Sequence, residues 1–338
     1  MTGVQTCALP ILHVAAAIQS QRNIQLDRLE RLANSLVASL ERSDELVVMA
    51  LSSPAGSPLM TNLLNVAVVA TKVGMGLGYY GRELERLALA GLVHDIGLFA
   101  VPQSLVTKAG RLTPDERTLI EQHPELGYEA VKRTGNEYVW LAELIRQAHE
   151  RINGLGYPAR LKGRQISEMA LIIGVSDVFD ALISDRPYRR RLFPHEAIKE
   201  LLVSERATFP REIIKALVEQ LSMYPLGTTV RLSTGETGTV VGVNVRYPLR
   251  PIVKVEEMDG SDNPESRRVD LSLTPLVGVI EALNAPVVGR VAFAEESAAP
   301  AAPVGGASDQ FTALLESLDA IATAIQGVVE NRLQPAAA

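Results

Sequence analysis

Between residue 59 and about residue 223 the chain reads as successive helices joined by short loops, and at Pro225-Leu226-Gly227 that pattern stops. Beyond the break, Thr228-Thr-Val-Arg-Leu-Ser233 and Gly238-Thr-Val-Val-Gly-Val243 show β-branched alternation, with Thr234-Gly-Glu-Thr-Gly238 as the turn between them. Pro251–Glu256 and Arg268–Leu273 continue it, so a small sheet or open barrel of about three to five short strands is expected. The fold class that follows is mainly α: a helical domain, then a small β-rich C-terminal domain and a terminal helix. A hydrophobic content of 47% with only 4% aromatic residues suits an aliphatic, helix-packed interior.

The expected organisation is a foreign segment at 1–11, an N-terminal helical segment at 12–55 and the helical domain at 56–225. The β domain at 226–284, an Ala/Pro linker at 285–308 and an amphipathic helix at 309–333 complete it. Met1 to Ile11 resembles the translation of a sequencing-library adapter and is set aside from the fold reading, with the gene expected to continue upstream. Cys7, the only cysteine, lies in that segment, so no disulfide framework is open to the rest. Leu29, Leu32, Leu36 and Leu40 share one face of a helix read over residues 12–50, and Ser52-Ser-Pro-Ala-Gly-Ser-Pro58 ends it. Thr113-Pro-Asp-Glu116 reads as a helix start, with a capping hydroxyl, Pro in first position and acids in the first turn. Leu59–Gly78 is apolar enough to attract a membrane reading, but Asn62, Asn65 and Lys72 interrupt it and a buried helix is expected instead. Phe311, Leu314, Leu315, Leu318, Ile321, Ile325, Val328 and Val329 form a terminal stripe that packs on its own chain or on a second copy, giving a homo-oligomer through terminal helices.

A net charge of −6 and a pI near 5.5 argue against a binder of nucleic-acid polymers and leave a small anionic ligand open. The start lacks the basic and apolar regions of a secretory signal, and a cytoplasmic protein is expected.

Chemistry concentrates in a few words. His94-Asp95 lies inside Gly91-Leu-Val-His-Asp-Ile-Gly97, and on a helix two such neighbours point about 100° apart, to nearly the same side. A carboxylate there can bridge two cations while the imidazole fixes one of them. In order follow His123-Pro124, His149-Glu150-Arg151, Gly154-Leu-Gly-Tyr-Pro158, Ser176-Asp177-Val-Phe-Asp180 and Asp185-Arg-Pro-Tyr-Arg189. His13 and His195 fall outside these words and are read as surface residues.

The ordered set, over roughly residues 56–225, resembles the HD-GYP branch of the HD phosphohydrolase superfamily, whose active members hydrolyse cyclic di-GMP in bacterial signal transduction. The resemblance implies a helical HD-type domain in which His94, Asp95 and Asp177 hold one divalent metal. Asp95, the catalytic carboxylate, would bridge to a second metal held by His123 and His149. Such a mixed donor set suits iron or manganese. Arg186 and Arg189 match positions that contact phosphate, for which guanidinium forks are suited, and Tyr157 would line the substrate site. The Gly-Tyr-Pro loop is implicated in contacts with diguanylate-cyclase domains. Asp180 shares a helix face with Asp177, and a local hydrogen bond to the backbone or an interaction with a neighbouring Arg is expected of it.

Three positions depart from the family pattern. Asn62, three residues before Asn65-Val66, stands where the family has a His; Leu98 replaces the Lys after His-Asp-Ile-Gly; and Ala148 replaces the first His of a His-His doublet. Each metal thereby loses a ligand, and one ion or none is expected. The reading that follows is a domain with weakened or lost phosphodiesterase activity that works by binding cyclic di-GMP, a related dinucleotide or a partner. An active metal-dependent phosphodiesterase and a pure protein-interaction module stay open beside it.

Overall fold

The computed structural model describes residues 5–20, 22–51, 58–108, 110–184, 191–205, 207–221, 224, 227–244, 250–256 and 266–283. Its helices are α1 (Gln5–Gln19), α2 (Asp27–Leu40), α3 (Glu45–Leu51), α4 (Pro58–Gly76), α5 (Arg82–Val93), α6 (Gln103–Val106) and α7 (Pro114–Ile120). They continue with α8 (His123–Lys132), α9 (Val139–Gln147), α10 (Glu168–Ile183), α11 (Pro194–Ser204) and α12 (Arg211–Gln220). Strands β1 (Thr229–Leu232), β2 (Thr237–Gly242), β3 (Ile252–Glu256), β4 (Ser266–Asp270) and β5 (Val279–Ala282) follow. The change of period at Pro225 is therefore a change of architecture.

Two helices are apolar almost all round and form the centre. In α10, Ala170, Leu171, Ile172, Ile173, Val175 and Phe179 are buried, and Ser176 survives there because its hydroxyl donates to the Ile172 carbonyl at 2.7 Å. The window Leu59–Gly76 in α4 is long and apolar enough to cross a membrane by composition, yet 72% of it is buried inside the protein. It packs against α3, α5, α10 and α12, as the buried-helix expectation required. Short helices around this pair are set by local signals. Thr113 accepts from the Glu116 backbone at 3.2 Å while Glu116 accepts from the Thr113 backbone at 2.8 Å, the reciprocal cap read from the sequence.

The sheet is antiparallel in the order β4-β3-β2-β1-β5. Val230, Leu232, Val240, Val253, Val255 and Val269 are buried, and the alternate positions Arg231, Thr237, Thr239 and Arg268 are exposed. That is the one-sided alternation of a sheet covered on a single face.

Several expectations are corrected. The helix read over 12–50 is three helices, α1 to α3, although Leu29, Leu36 and Leu40 are buried together as expected. The polar run Ser20 to Asn23 ends α1, with the Ser20 hydroxyl on the Ala16 carbonyl and the Arg22 N–H on the Ala17 carbonyl. α1 begins at Gln5 and buries Ile11, so it crosses the boundary drawn at residue 12. His195 is 9% exposed rather than on the surface, stacked between Phe193 and Tyr224 at centroid distances of 5.9 and 5.4 Å. Its ring serves as packing, and burial lowers its pKa. His13 is exposed. The turn at 52–57, the linker at 285–308 and the apolar stripe of 309–333, on which the expectation of self-association rests, lie outside the described residues.

Candidate metal centre

The five side chains singled out in the sequence come together. His94 closes the C-terminus of α5, with φ −57° and ψ −34°, and Asp95 turns the chain out of the helix at φ −110° and ψ 14°. The pair therefore sits at a helix end rather than within a helix, and a 3-10 helix, Ile96–Ala100, carries the chain away. Gly97 lets that turn lie against α8, since a Cβ there would collide with the His123 carbonyl. His123 opens α8, His149 follows the end of α9, and α10 brings Asp177 from the far side of the chain.

Asp95 is the meeting point. Its Oδ1 lies 2.8 Å from His149 Nε2, 3.1 Å from His123 Nε2 and 3.5 Å from His94 Nε2. The two ring nitrogens of His123 and His149 are 2.9 Å apart. His94 Nε2 is also 3.8 Å from Asp177 Oδ1. Among the described residues, Asp95/His123/His149 and His94/Asp95/Asp177 each have ligand atoms within 4.8 Å of one another. Asp95 is common to both.

The outer ring nitrogens decide what the inner ones offer. His94 Nδ1 donates to the Gly91 carbonyl at 2.9 Å and His123 Nδ1 to the Ile120 carbonyl at 2.8 Å. In the neutral ring each Nε2 then presents a lone pair inward. His94 Nε2 is fully buried without a hydrogen-bond partner. Lone pairs gathered around a buried carboxylate repel one another unless a cation lies among them, so the donor set fits a divalent metal.

Charge in the site is tightly balanced. Burial opposes protonation of His94, but Asp95 and Asp177 outweigh it and raise its pKa to about 9. His149 goes the other way, because burial lowers it more than Asp95 raises it. Asp95 is held well below the usual carboxylate range: burial would raise it, and His94, His123 and His149 together reverse that. Asp177 is lowered against its own burial by His94. The field thus draws positive charge to His94 Nε2, whether proton or metal.

The departures have structural consequences. Asn62 Nδ2 donates to Asp177 Oδ1 at 3.1 Å and to Asp180 Oδ2 at 2.8 Å, while Asn65 Nδ2 donates to Asp180 Oδ1 at 2.8 Å. Asp180 is therefore tied to α4; its local side-chain bond to Ser184, at 3.4 Å, is the longer one. The i, i+3 pair of amides on α4 meets the i, i+3 pair of acids on α10. Ala148 is 1% exposed, with its methyl in the core, and Leu98 is half-buried in the 3-10 helix. Tyr157 lies flat on His149, with ring centroids 5.0 Å apart and planes 5° apart, and edge-on to His123 at 6.1 Å. Arg186 and Arg189 lie outside the described residues.

Two contributors were not legible. Glu150 turns its carboxylate away from the metal ligands to accept from the backbone N–H groups of Ala159 and Leu161. Arg151 lies over the Phe209 ring at 4.6 Å and donates to the Glu150 carbonyl at 2.9 Å; burial lowers its pKa against the pull of Asp177. Both stand in the word His149-Glu150-Arg151, but a word does not say which way a side chain faces.

A family model of the HD domain matches residues 28–212, and one of the KOW domain associated with HD domains matches residues 229–287. The chain belongs to the HD domain family, in its HD-GYP branch. A cyclic di-GMP phosphodiesterase of Pseudomonas aeruginosa is 36% identical over 202 residues, 58% of this chain and 47% of its own length. A cyclic di-GMP phosphodiesterase response regulator of Xanthomonas campestris pv. campestris is 36% identical over 151 residues, 44% of this chain and 40% of its own. A 3'3'-cGAMP-specific phosphodiesterase of Vibrio cholerae is 30% identical over 193 residues, 55% of this chain and 36% of its own. The chain spans less than half the length of these curated relatives. A solved HDG"Y"P protein from Bdellovibrio bacteriovorus shares the fold at a TM-score of 0.51 and 19% identity, covering 64% of this chain and 72% of that one.

Proposed function

We propose that this HD-GYP domain recognises cyclic di-GMP or a related cyclic dinucleotide in the cytoplasm, with phosphodiesterase chemistry weakened relative to the family. The observation that carries the weakening is the Asn62 amide, whose N–H groups face Asp177 and Asp180 where a metal needs a lone pair. Asp95, His123 and His149 would hold one divalent ion, iron or manganese on donor chemistry, and His94 with Asp177 would hold a second more weakly. Such an ion supplies Lewis-acid polarisation of a phosphodiester and a nucleophile near neutral pH.

The chain's own residues supply the rest. Gly91 and Ile120 carbonyls fix the tautomers of His94 and His123. Asp95, ionised between three imidazoles, is the shared oxygen donor on which both triads depend. Tyr157 covers His149 and keeps water from that face of the ring. Arg186 and Arg189 are assigned the ligand's phosphates on their place in Asp185-Arg-Pro-Tyr-Arg189. Leu155, 83% exposed in the loop before Tyr157, supports the reading that a partner such as a diguanylate-cyclase domain meets the protein there.

A specific observation favours the second reading, an active phosphodiesterase: all five remaining ligands lie in one cluster. Metal content and cyclic di-GMP turnover of protein purified without chelator separate the two. Turnover well below ~1 per second, with calorimetric binding retained, is expected; turnover at or above that rate overturns the weakened-site reading. Arg186→Ala and Arg189→Ala should each weaken the ligand about tenfold to a hundredfold while barely moving the melting temperature.

A further inference from the structure

His149 differs from the two other imidazoles of the centre in how it is held. His94 and His123 each donate Nδ1–H to the carbonyl three residues earlier, which fixes both tautomer and ring plane. His149 Nδ1 has no such acceptor among the described residues; its nearest acidic oxygen, Asp177 Oδ2, is 4.0 Å away. Yet its Nε2 reaches Asp95 at 2.8 Å. Something else must set that ring.

Among the described residues, the ring stacked flat on it is Tyr157, at 5.0 Å and 5°. Tyr157 is in turn seated by the backbone beneath it. Its N–H donates to the His149 carbonyl at 3.2 Å, and a Cβ on Gly156 would come within 2.5 Å of the His149 carbonyl oxygen, Glu150 Cα and Arg151 N. The loop lies flat on residues 149–151 because Gly156 has no side chain. Beyond Pro158, the loop is clamped by Glu150, whose carboxylate accepts from Ala159 N at 2.6 Å and Leu161 N at 2.9 Å. Glu150 is 1% exposed and has no ion-pair partner among the described residues. Burying a carboxylate is costly, and its two hydrogen bonds to one loop are what offset that cost.

We propose that Glu150 is a positioning residue for His149: it clamps the Gly-Tyr-Pro loop so that the Tyr157 ring braces the imidazole with Nε2 toward Asp95. The consequence for metal affinity rests on the function proposed above; the consequence for the ring does not.

The experiment uses the full chain with Glu150→Gln, Tyr157→Leu, Tyr157→Phe and the double variant Glu150→Gln/Tyr157→Leu. Imidazole proton resonances of the metal-free protein read the ring directly, because a stacked tyrosine shifts them upfield. Glu150→Gln should move the His149 resonances toward their position in Tyr157→Leu, with His94 unmoved and Tyr157→Phe like the parent. Cobalt(II) affinity, titrated calorimetrically, should fall about tenfold in either single variant and no further in the double, because the two act in series. His149 resonances unmoved in Glu150→Gln, or fully additive affinity losses, would overturn the proposal, whatever the melting temperatures do. A parent that binds no cobalt defeats the metal reading alone, and the resonances still decide the role of Glu150. Should Glu150→Gln not fold, Glu150→Asp keeps the charge, withdraws the oxygens by one methylene and carries the same comparison.

Discussion

The two halves of the candidate centre share Asp95 and differ in what faces it. On the side of His123 and His149, three possible ligand atoms, Asp95 Oδ1 and the two Nε2, converge within 3.1 Å, with no amide or ammonium group among them in the described residues. On the side of His94 and Asp177, the Asn62 amide has entered and donates to the carboxylate. A neutral donor satisfies Asp177 and Asp180 without supplying a ligand, so the first half still needs a cation and the second has part of that need met by protein. The Asn62 amide thus sets the electrostatics of one half of the site and leaves the other untouched.

The largest expected effect tests what the halves share. Asp95→Asn removes the oxygen common to both triads, and metal content together with manganese affinity should fall more than about a hundredfold, beyond what outer-shell changes cause. A variant that retains the parent's ion would show that the halves bind independently of Asp95.

A smaller effect separates the halves. Asn62→His replaces the amide donor by an imidazole facing Asp177, and affinity for a second ion should rise about tenfold. Ala148→His does not restore the other half in the same way, because Ala148 is 1% exposed and an imidazole there must displace the core. Overpacking of this kind costs about 1–3 kcal/mol, read as a loss of about 2–4 °C in melting temperature per kcal/mol. Equal gains in metal from both substitutions would remove the contrast between the halves.

That contrast marks where sequence reading stopped. His94, His123 and His149 were legible because each sits in an ordered word, and the change from helix to strand at Pro225 because period is a local property. The convergence of three imidazoles on one oxygen of Asp95 is tertiary, as is the bond from Asn62 to Asp180 across 118 residues of chain. Glu150 could be named but not aimed. His195 was misread because burial of a lone histidine depends on Tyr224, which follows another helix. The single N-terminal helix expected over 12–50 is wrong because the leucine face Leu29 to Leu40 belongs to α2 alone, and the short polar runs at Ser20 to Asn23 and Arg42 to Asp44 lie beyond its two ends.

The smallest effect on metal binding is expected one turn further from the centre. Among the described residues the Asn65 amide donates to Asp180 alone, and both are 1% exposed. Asn65→Ala takes one amide from a buried carboxylate that keeps Asn62, and a lost hydrogen bond to a charged group costs about 1.5–3 kcal/mol. Denaturant unfolding should register that loss, while manganese affinity stays within a factor of about two, because neither residue belongs to a ligand triad. The opposite pattern would be informative. If affinity falls as far as in Asp95→Asn while stability holds, Asp180 is itself part of the ion's surroundings. The Asn62 side of the centre would then be a second binding half in its own right, and no longer one satisfied by protein donors.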